Sequence, residues 1–208
     1  MRDAHKKEDT RQRLIEAGAT ILHRQGYNGT GIQEVLAACA VPKGSFYHFF
    51  KSKDDFVLAV VDHYATWMGK RVLELFSDAT LSPLARLRLF FDQMIERVND
   101  VDNPFSSCGC PIGNLVQEMA PVNTAFRQRL DEVLNGLERA MATVLRQAQA
   151  AGEIAPEHDA DELARFIVAS WHGAILRMKA TGGPEPLVRG RDFLLGMLKA
   201  SATGRQKT

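Results

Sequence analysis

Leu14, Ala17, Gly18, Ile21 and Leu22 recur at i, i+3, i+4, i+7 and i+8, a spacing that lines one face of an α-helix and excludes a half-buried strand. The same period returns at Ile32, Val35, Leu36 and Cys39, and no strand pattern or repeat period stands out elsewhere in the 208 residues. The chain is therefore expected to be all-α. Capping residues, glycine and proline divide it into elements. A first helix is expected from near Thr10 to just before Gly26, a second with Thr30 as N-cap ending at the turn Ala40-Val41, and a third short one opened by Pro42. A long fourth helix starts at Ser52, its N-cap, carries Asp54 and Asp55 in the first turn, and reaches about Phe76. Beyond the loop "SDATLSP", further helices are expected over 83–100, 111–120, 123–151, 159–181 and 187–202.

A hydrophobic content of 45% over this length is enough for a sizeable core. No stretch is long and apolar enough to span a bilayer, and the polar start "MRDAHKKEDTRQ" lacks the apolar run of a signal peptide, so a cytoplasmic address without a membrane partner is expected. Cys39, Cys108 and Cys110 are too few for a disulfide framework, and the last two stand one residue apart rather than at metal-ligand spacing. Free thiols, no metal and no cofactor follow. With no Gly-rich phosphate loop, HExxH or nucleophile elbow, no catalytic residue is assigned and an enzyme is not expected. The net charge of +1 conceals an asymmetry: residues 1–53 hold nine Lys/Arg against five Asp/Glu, the remainder seventeen against twenty. That distribution fits an anion-binding head on a neutral-to-acidic body.

The segment "VPKGSFYHFFKSKDDF" carries the sharpest signal. Phe46 and Phe50 are four apart and point inward together, with Phe56 assigned to the same core, which turns Lys43, Ser45, Tyr47 and His48 outward. Together with Thr30, the helix "GIQEVLAACA" and the intervening turn, this stretch resembles the TetR family of bacterial transcriptional regulators. The resemblance implies a helix-turn-helix head over 1–56 and an all-helical ligand-binding and dimerising body over 57–208. One residue departs from the family pattern: Ala40 stands in the turn where glycine is common, a conformation that Ala adopts at a cost.

In a helix-turn-helix the second helix enters the major groove by its N-terminal residues, so Lys43, Gly44 and Ser45 are the groove-facing candidates. Tyr47 and His48 are suited to phosphates or thymine methyls, Thr30 to phosphate through its hydroxyl and backbone N–H, and Lys53 to phosphate beside the positive start of the fourth helix. Lys6, Lys7 and Arg11 add sequence-independent attraction from a polar arm.

In the penultimate helix Val168, Trp171, His172 and Ile175 form one stripe, with Phe166, Ser170, Gly173, Ala174 and Arg177 opposite, so burial on both sides is expected. The second face, with Phe193, Leu194, Met197 and Leu198 of the last helix, is assigned to a homodimer four-helix bundle. The first looks inward as a candidate ligand surface together with Tyr64, Trp67, Met68, Phe90 and Met94, although a lone His such as His172 is more often a hydrogen-bonded core residue. The segment "SSCGCPIGNLVQEMA" is similar to a "GC-x-x-G-N-x-x-Q-E" stretch of the acrylate-responsive subgroup of the family. That likeness implies a small unsaturated acid or another electrophile as effector and Cys110 as its contact. A packing role for Cys110 at a helix start is the alternative. The expected function is thus a DNA-binding transcriptional regulator, read as a repressor, that holds an inverted-repeat operator in double-stranded DNA as a homodimer and is released by a small-molecule effector. The alternative is reversible release by an unrelated apolar molecule in a non-covalent pocket.

Overall fold

The computed structural model describes residues 2–100, 102–103 and 106–203. Among these the regular structure is entirely helical: α1 Arg2–Gly29, α2 Ile32–Ala38, α3 Lys43–Phe49, α4 Lys53–Phe76, α5 Pro83–Asn99, α6 Pro111–Met119, α7 Thr124–Ala150, α8 Ala160–Thr181 and α9 Glu185–Thr203. No helix is long and apolar enough to cross a membrane among the described residues. Most boundaries lie within two residues of expectation because each has a local cause. The Ser52 hydroxyl accepts the Asp55 N–H at 3.1 Å, Ser82 caps α5 ahead of Pro83, and Asp159 takes the N–H groups of Asp161 and Glu162.

Two boundaries differ. The helical backbone of α1 begins at Arg2 rather than near Thr10, so the expected polar arm is helix; the side chains of Lys6 and Lys7 lie outside the described residues. Thr30 does not cap α2. The N-cap is Gly31, and the Thr30 hydroxyl instead donates to the Gly26 carbonyl at 2.7 Å while the residue is only 3% exposed. A break inside α1 sets this geometry: Gly26, at φ 70 and ψ −175, bends the chain so that its carbonyl meets the hydroxyl four residues on.

By compactness the chain divides into two units, the first comprising the chain up to Met68 with Cys110–Glu132, the second Gly69–Gly109 with the chain from Val133 on. In the first, Leu14, Ile21 and Leu22 of α1 are buried with Val35, Leu36 and the rings of Phe46, Phe50 and Phe56, whose centroids lie 5.0–5.4 Å apart. Gly18 makes room: a Cβ there would collide with the Phe56 ring. Ile112, Leu115 and Met119 of α6 and Phe126 and Leu130 of α7 complete this core. At about 1.5–3 kcal/mol for each large apolar side chain, such burial holds a helix as short as α3, which could not stand alone.

The second unit buries Leu87, Phe90, Phe91 and Ile95 of α5 with Ala164, Ile167, Trp171 and Met178 of α8 and Leu187, Leu194 and Leu198 of α9. Helices α8 and α9 pack closely, with a Cβ at Gly190 falling 3.4 Å from that of Ala174, and Arg191 donates to Asp92 at 2.6 Å to tie α9 to α5. This packing corrects part of the expected dimer face. Leu194 and Leu198 are interior residues of their own unit, and Ala174 faces α9, because the last helix turns its apolar stripe toward its own chain. Among the residues α8 leaves exposed, Phe166, Ala169, Gly173, Leu176 and Ala180 form one line at alternating spacings of three and four, flanked by charged Glu162, Arg165, Arg177 and Lys179. On the single chain Gly173 and Arg177 are exposed and Ser170 is half-buried, while Phe193, 70% exposed, stands on α9 one turn before half-buried Met197.

Candidate nucleic-acid interface

Between α2 and α3 the chain turns through Cys39, at φ −110, and Ala40, at φ 52. A non-glycine residue in the left-handed region costs about 1–2 kcal/mol, so the surroundings must fix the turn. They do so from both sides. The Val41 N–H donates to the Leu36 carbonyl at 3.0 Å with its side chain buried, and the Arg13 guanidinium donates to the Cys39 carbonyl at 2.6 Å. Pro42 follows as N-cap of α3, its carbonyl accepting the Ser45 N–H at 2.9 Å.

With Phe46 and Phe50 locked in the core, α3 presents Lys43, Gly44, Tyr47 and His48 to solvent, whereas Ser45, expected to face outward, is half-buried beside Phe46. No atom would lie within 4 Å of a Cβ at Gly44, so the start of the helix is open. Tyr47 is 57% exposed yet packs edge-on against Phe46, which gives its hydroxyl a defined direction. The Arg11 guanidinium lies 5.4 Å from the Phe50 ring centroid on the same unit. Lys53 is half-buried, its ammonium 4.3 Å above the centroid of Tyr27. The Tyr27 hydroxyl donates to Asp54, and burial, then that bond and the Asp54 charge, push the phenol up to about 12. Thr30 does not join the surface: its hydroxyl and N–H are both spent on the α1 turn, at Gly26 and Tyr27.

The expected ligand residues divide between the units. Tyr64 and Trp67 pair at 5.9 Å on α4, Trp67 42% exposed and Met68 half-buried beside them in sequence. In the second unit Phe90 meets Phe76 at a tilt and Phe91 edge-on, and the Trp171 ring lies 4.7 Å from that of Phe91; Phe90 and Trp171 are both buried, and Met94 is half-buried. His172 is half-buried, and a ring N–H donates to the Val168 carbonyl one turn back on the same helix at 2.9 Å. Cys110 is the N-cap of α6, half-buried, without a side-chain capping bond, and Cys108 is also half-buried. No cluster of metal-binding side chains occurs among the described residues.

Sequence reasoning missed the groups that hold the head together. Glu118, near the end of α6, accepts the N–H of Tyr27 at 2.6 Å, the N–H of Asn28 at 3.2 Å and the Asn28 amide at 3.1 Å. Asn123 donates to Asp54 at 3.0 Å while its carbonyl oxygen receives the Ala125 and Phe126 N–H groups. Only the "Q-E" of the quoted motif hinted at Glu118, and no local pattern announces a partner ninety residues away.

Comparison with known proteins bears on the whole arrangement. A family model described as bacterial regulatory proteins, tetR family, matches residues 14–60, and one described as tetracyclin repressor-like, C-terminal domain, matches residues 83–194. The chain is 44% identical over 176 residues to the transcriptional regulator AcuR of Cereibacter sphaeroides, covering 85% of this chain and 79% of that one. It is 34% identical over 177 residues to the HTH-type transcriptional repressor DhaR of Mycobacterium sp. strain GP1, covering 85% and 86%. Its fold matches a crystal structure of a regulatory protein TetR from Rhodobacter sphaeroides with a TM-score of 0.82 at 41% identity, over 89% of this chain and 96% of that one.

Proposed function

Because the chain belongs to the TetR family of DNA-binding transcriptional regulators, we propose that it is a repressor that grips an inverted-repeat operator as a two-fold dimer and lets go when a small unsaturated acid or other electrophile reaches Cys110. The observation that carries the DNA half is the open strip of Lys43, Gly44, Tyr47 and His48 mounted on the rigid Phe46, Phe50 and Phe56 cluster. Small residues allow close approach to the groove floor, while lysine, tyrosine and histidine supply donors to guanine and phosphate. Dimerisation is supported by the exposed line Phe166, Ala169, Gly173 and Leu176, whose spacing suits a helix-to-helix seam, and by Phe193. Two copies of one head then read two half-sites one helical turn apart or a multiple of it. The cytoplasm, where the DNA lies, is the working compartment on this reading.

For the effector, Cys110 stands half-buried as the N-cap of α6, and its sulfur is the atom that would meet an electrophile. The thiolate sulfur adds to the β-carbon of an activated alkene, the C–S bond forms as the C=C π bond breaks, and the α-carbon takes a proton from water. Only a difference in DNA affinity between the two states releases the operator, and a tenfold loss corresponds to about 1.4 kcal/mol. The pair of half-buried Tyr64 and exposed Trp67 favours a second reading, in which an apolar effector binds reversibly. Fluorescence anisotropy on DNA from upstream of the protein's own gene separates them. Acrylate and N-ethylmaleimide should release the wild type and not Cys110→Ser; equal release from both proteins would remove Cys110 and leave the reversible ligand.

A further inference from the structure

We propose that Glu118 is a positioning residue for operator binding: from α6 its carboxylate sets the junction at which the helix-turn-helix begins. The inference rests on the DNA-binding function, and its link to the effector rests additionally on the Cys110 reading above. Three N–H groups converge on the one carboxylate, two from the backbone of Tyr27 and Asn28 and one from the Asn28 side chain. Charge-assisted bonds of this kind are stronger and more directional than neutral ones. The break at Gly26 turns the next two backbone amides toward α6, and the carboxylate takes both. Only glycine fits there. The φ of 70 suits no other residue well, and a Cβ at that position would lie 2.5 Å from the Glu118 Oε2 atom.

The junction so fixed leads directly into the DNA-reading element. Thr30 is bonded back to Gly26, and Gly31, the next residue, is the N-cap of α2. A second tie comes from α4, where Asp54 receives the Tyr27 hydroxyl and the Asn123 amide. Of the two, the Glu118 tie belongs to the helix that Cys110 opens. Eight residues at about 1.5 Å each separate them by roughly 12 Å along a single rigid helix whose Ile112, Leu115 and Met119 are buried. A displacement of the N-terminus of α6 therefore reaches the junction through the directional bonds of the carboxylate as well as through the apolar packing of the helix. Glu118 thus belongs to the DNA-binding machinery although it touches no DNA.

The test uses the full-length protein and operator DNA from upstream of its own gene. Glu118→Gln keeps the shape but sets an NH2 group against N–H donors, and its operator Kd should rise about tenfold while Tm moves by only a few degrees. N-ethylmaleimide, which raises the wild-type Kd on the reading above, should change the Kd of Glu118→Gln by a factor close to one, a readout that a merely structural carboxylate would not move. Asn28→Ala supplies the cycle: it should weaken binding a few-fold in the wild type and no further in Glu118→Gln. An unchanged Kd in Glu118→Gln, or additive effects of the two substitutions, overturns the proposal. If N-ethylmaleimide fails to release the wild type, the Cys110 reading falls, and the Kd and the cycle still decide the role of Glu118.

Discussion

Tyr47 on α3 and Phe193 on α9 are both large rings left more than half exposed, yet their neighbourhoods call for different partners. Around Tyr47 the exposed residues are Lys43, Gly44 and His48, donors and a gap; on α8 one exposed line, Phe166, Ala169, Gly173 and Leu176, is apolar or small, with charged residues only to its sides. A polar, basic strip matches the backbone and base edges of a duplex, and an apolar strip with small residues matches another helix. Exposure alone does not identify a partner; the chemistry between the exposed rings does.

The largest effect should come from the apolar strip. Leu176→Asp places a charge in the proposed seam without touching the core of its unit, and should convert the dimer to monomer by light scattering at micromolar concentration while reducing operator affinity by about a hundredfold or more, since one head then binds one half-site. Leu194→Ala provides the contrast. That side chain is interior, so the substitution should cost about 2–5 kcal/mol of stability and leave a dimer wherever the protein remains folded. A monomer from Leu194→Ala and a dimer from Leu176→Asp would reverse the assignment.

How the two strips could be read from the sequence follows from the same contrast. The basic strip is legible because Phe46 and Phe50 fix which side of a two-turn helix is inward, although Ser45 beside them is half-buried. On α8 and α9 the period identifies apolar stripes but not what covers each: Leu194 and Leu198, expected against a partner, are buried within their own chain, while Leu176 is exposed. Thr30 fits the local rule for an N-cap, but the turn at Gly26 offered its hydroxyl a buried carbonyl first. Helix boundaries depend on neighbours in sequence and were mostly correct. Glu118, Arg13 and Asn123 act across long separations, where a pattern in one segment carries no information about the other.

Within the basic strip two lysines should behave differently. Lys43 is open at the start of the recognition helix, so Lys43→Ala should lose about 1–3 kcal/mol on the best operator and relax sequence preference. Lys53, held over the Tyr27 ring, should act on phosphate alone: Lys53→Ala should weaken all sequences alike and lower the slope of log K against log salt by about one. Equal salt slopes for Lys53→Ala and the wild type would take Lys53 out of the interface and leave it to the Tyr27 ring.

Tyr27 itself yields a pH signature. Its folded pKa, raised to about 12 by burial and then by Asp54, exceeds the ordinary 10, so the folded state holds the proton more tightly. The stability it contributes is complete below pH 10 and disappears as pH rises through 12. Thermal melts should therefore show the wild type losing more stability than Tyr27→Phe between pH 10 and 12, with parallel curves at lower pH. Parallel curves throughout would mean that the Tyr27 to Asp54 bond does not persist in solution.

The smallest effect concerns the turn that aims the basic strip. Ala40 at φ 52 costs about 1–2 kcal/mol relative to a residue without a Cβ, while glycine there would add about 0.4–1 kcal/mol of unfolded-state entropy. The first term is the larger, so Ala40→Gly should raise stability by about 0.5–1 kcal/mol, a shift of a few degrees in Tm. Arg13 and Val41 hold the turn independently of residue 40, so the direction of α3 is preserved and operator affinity should change less than twofold. A fall in Tm would show that Ala40 is unstrained in solution and that the turn differs from the left-handed geometry. Unchanged stability with a large loss of affinity would show instead that Ala40, and not the bonds around it, fixes the angle at which Lys43 and Tyr47 meet the duplex.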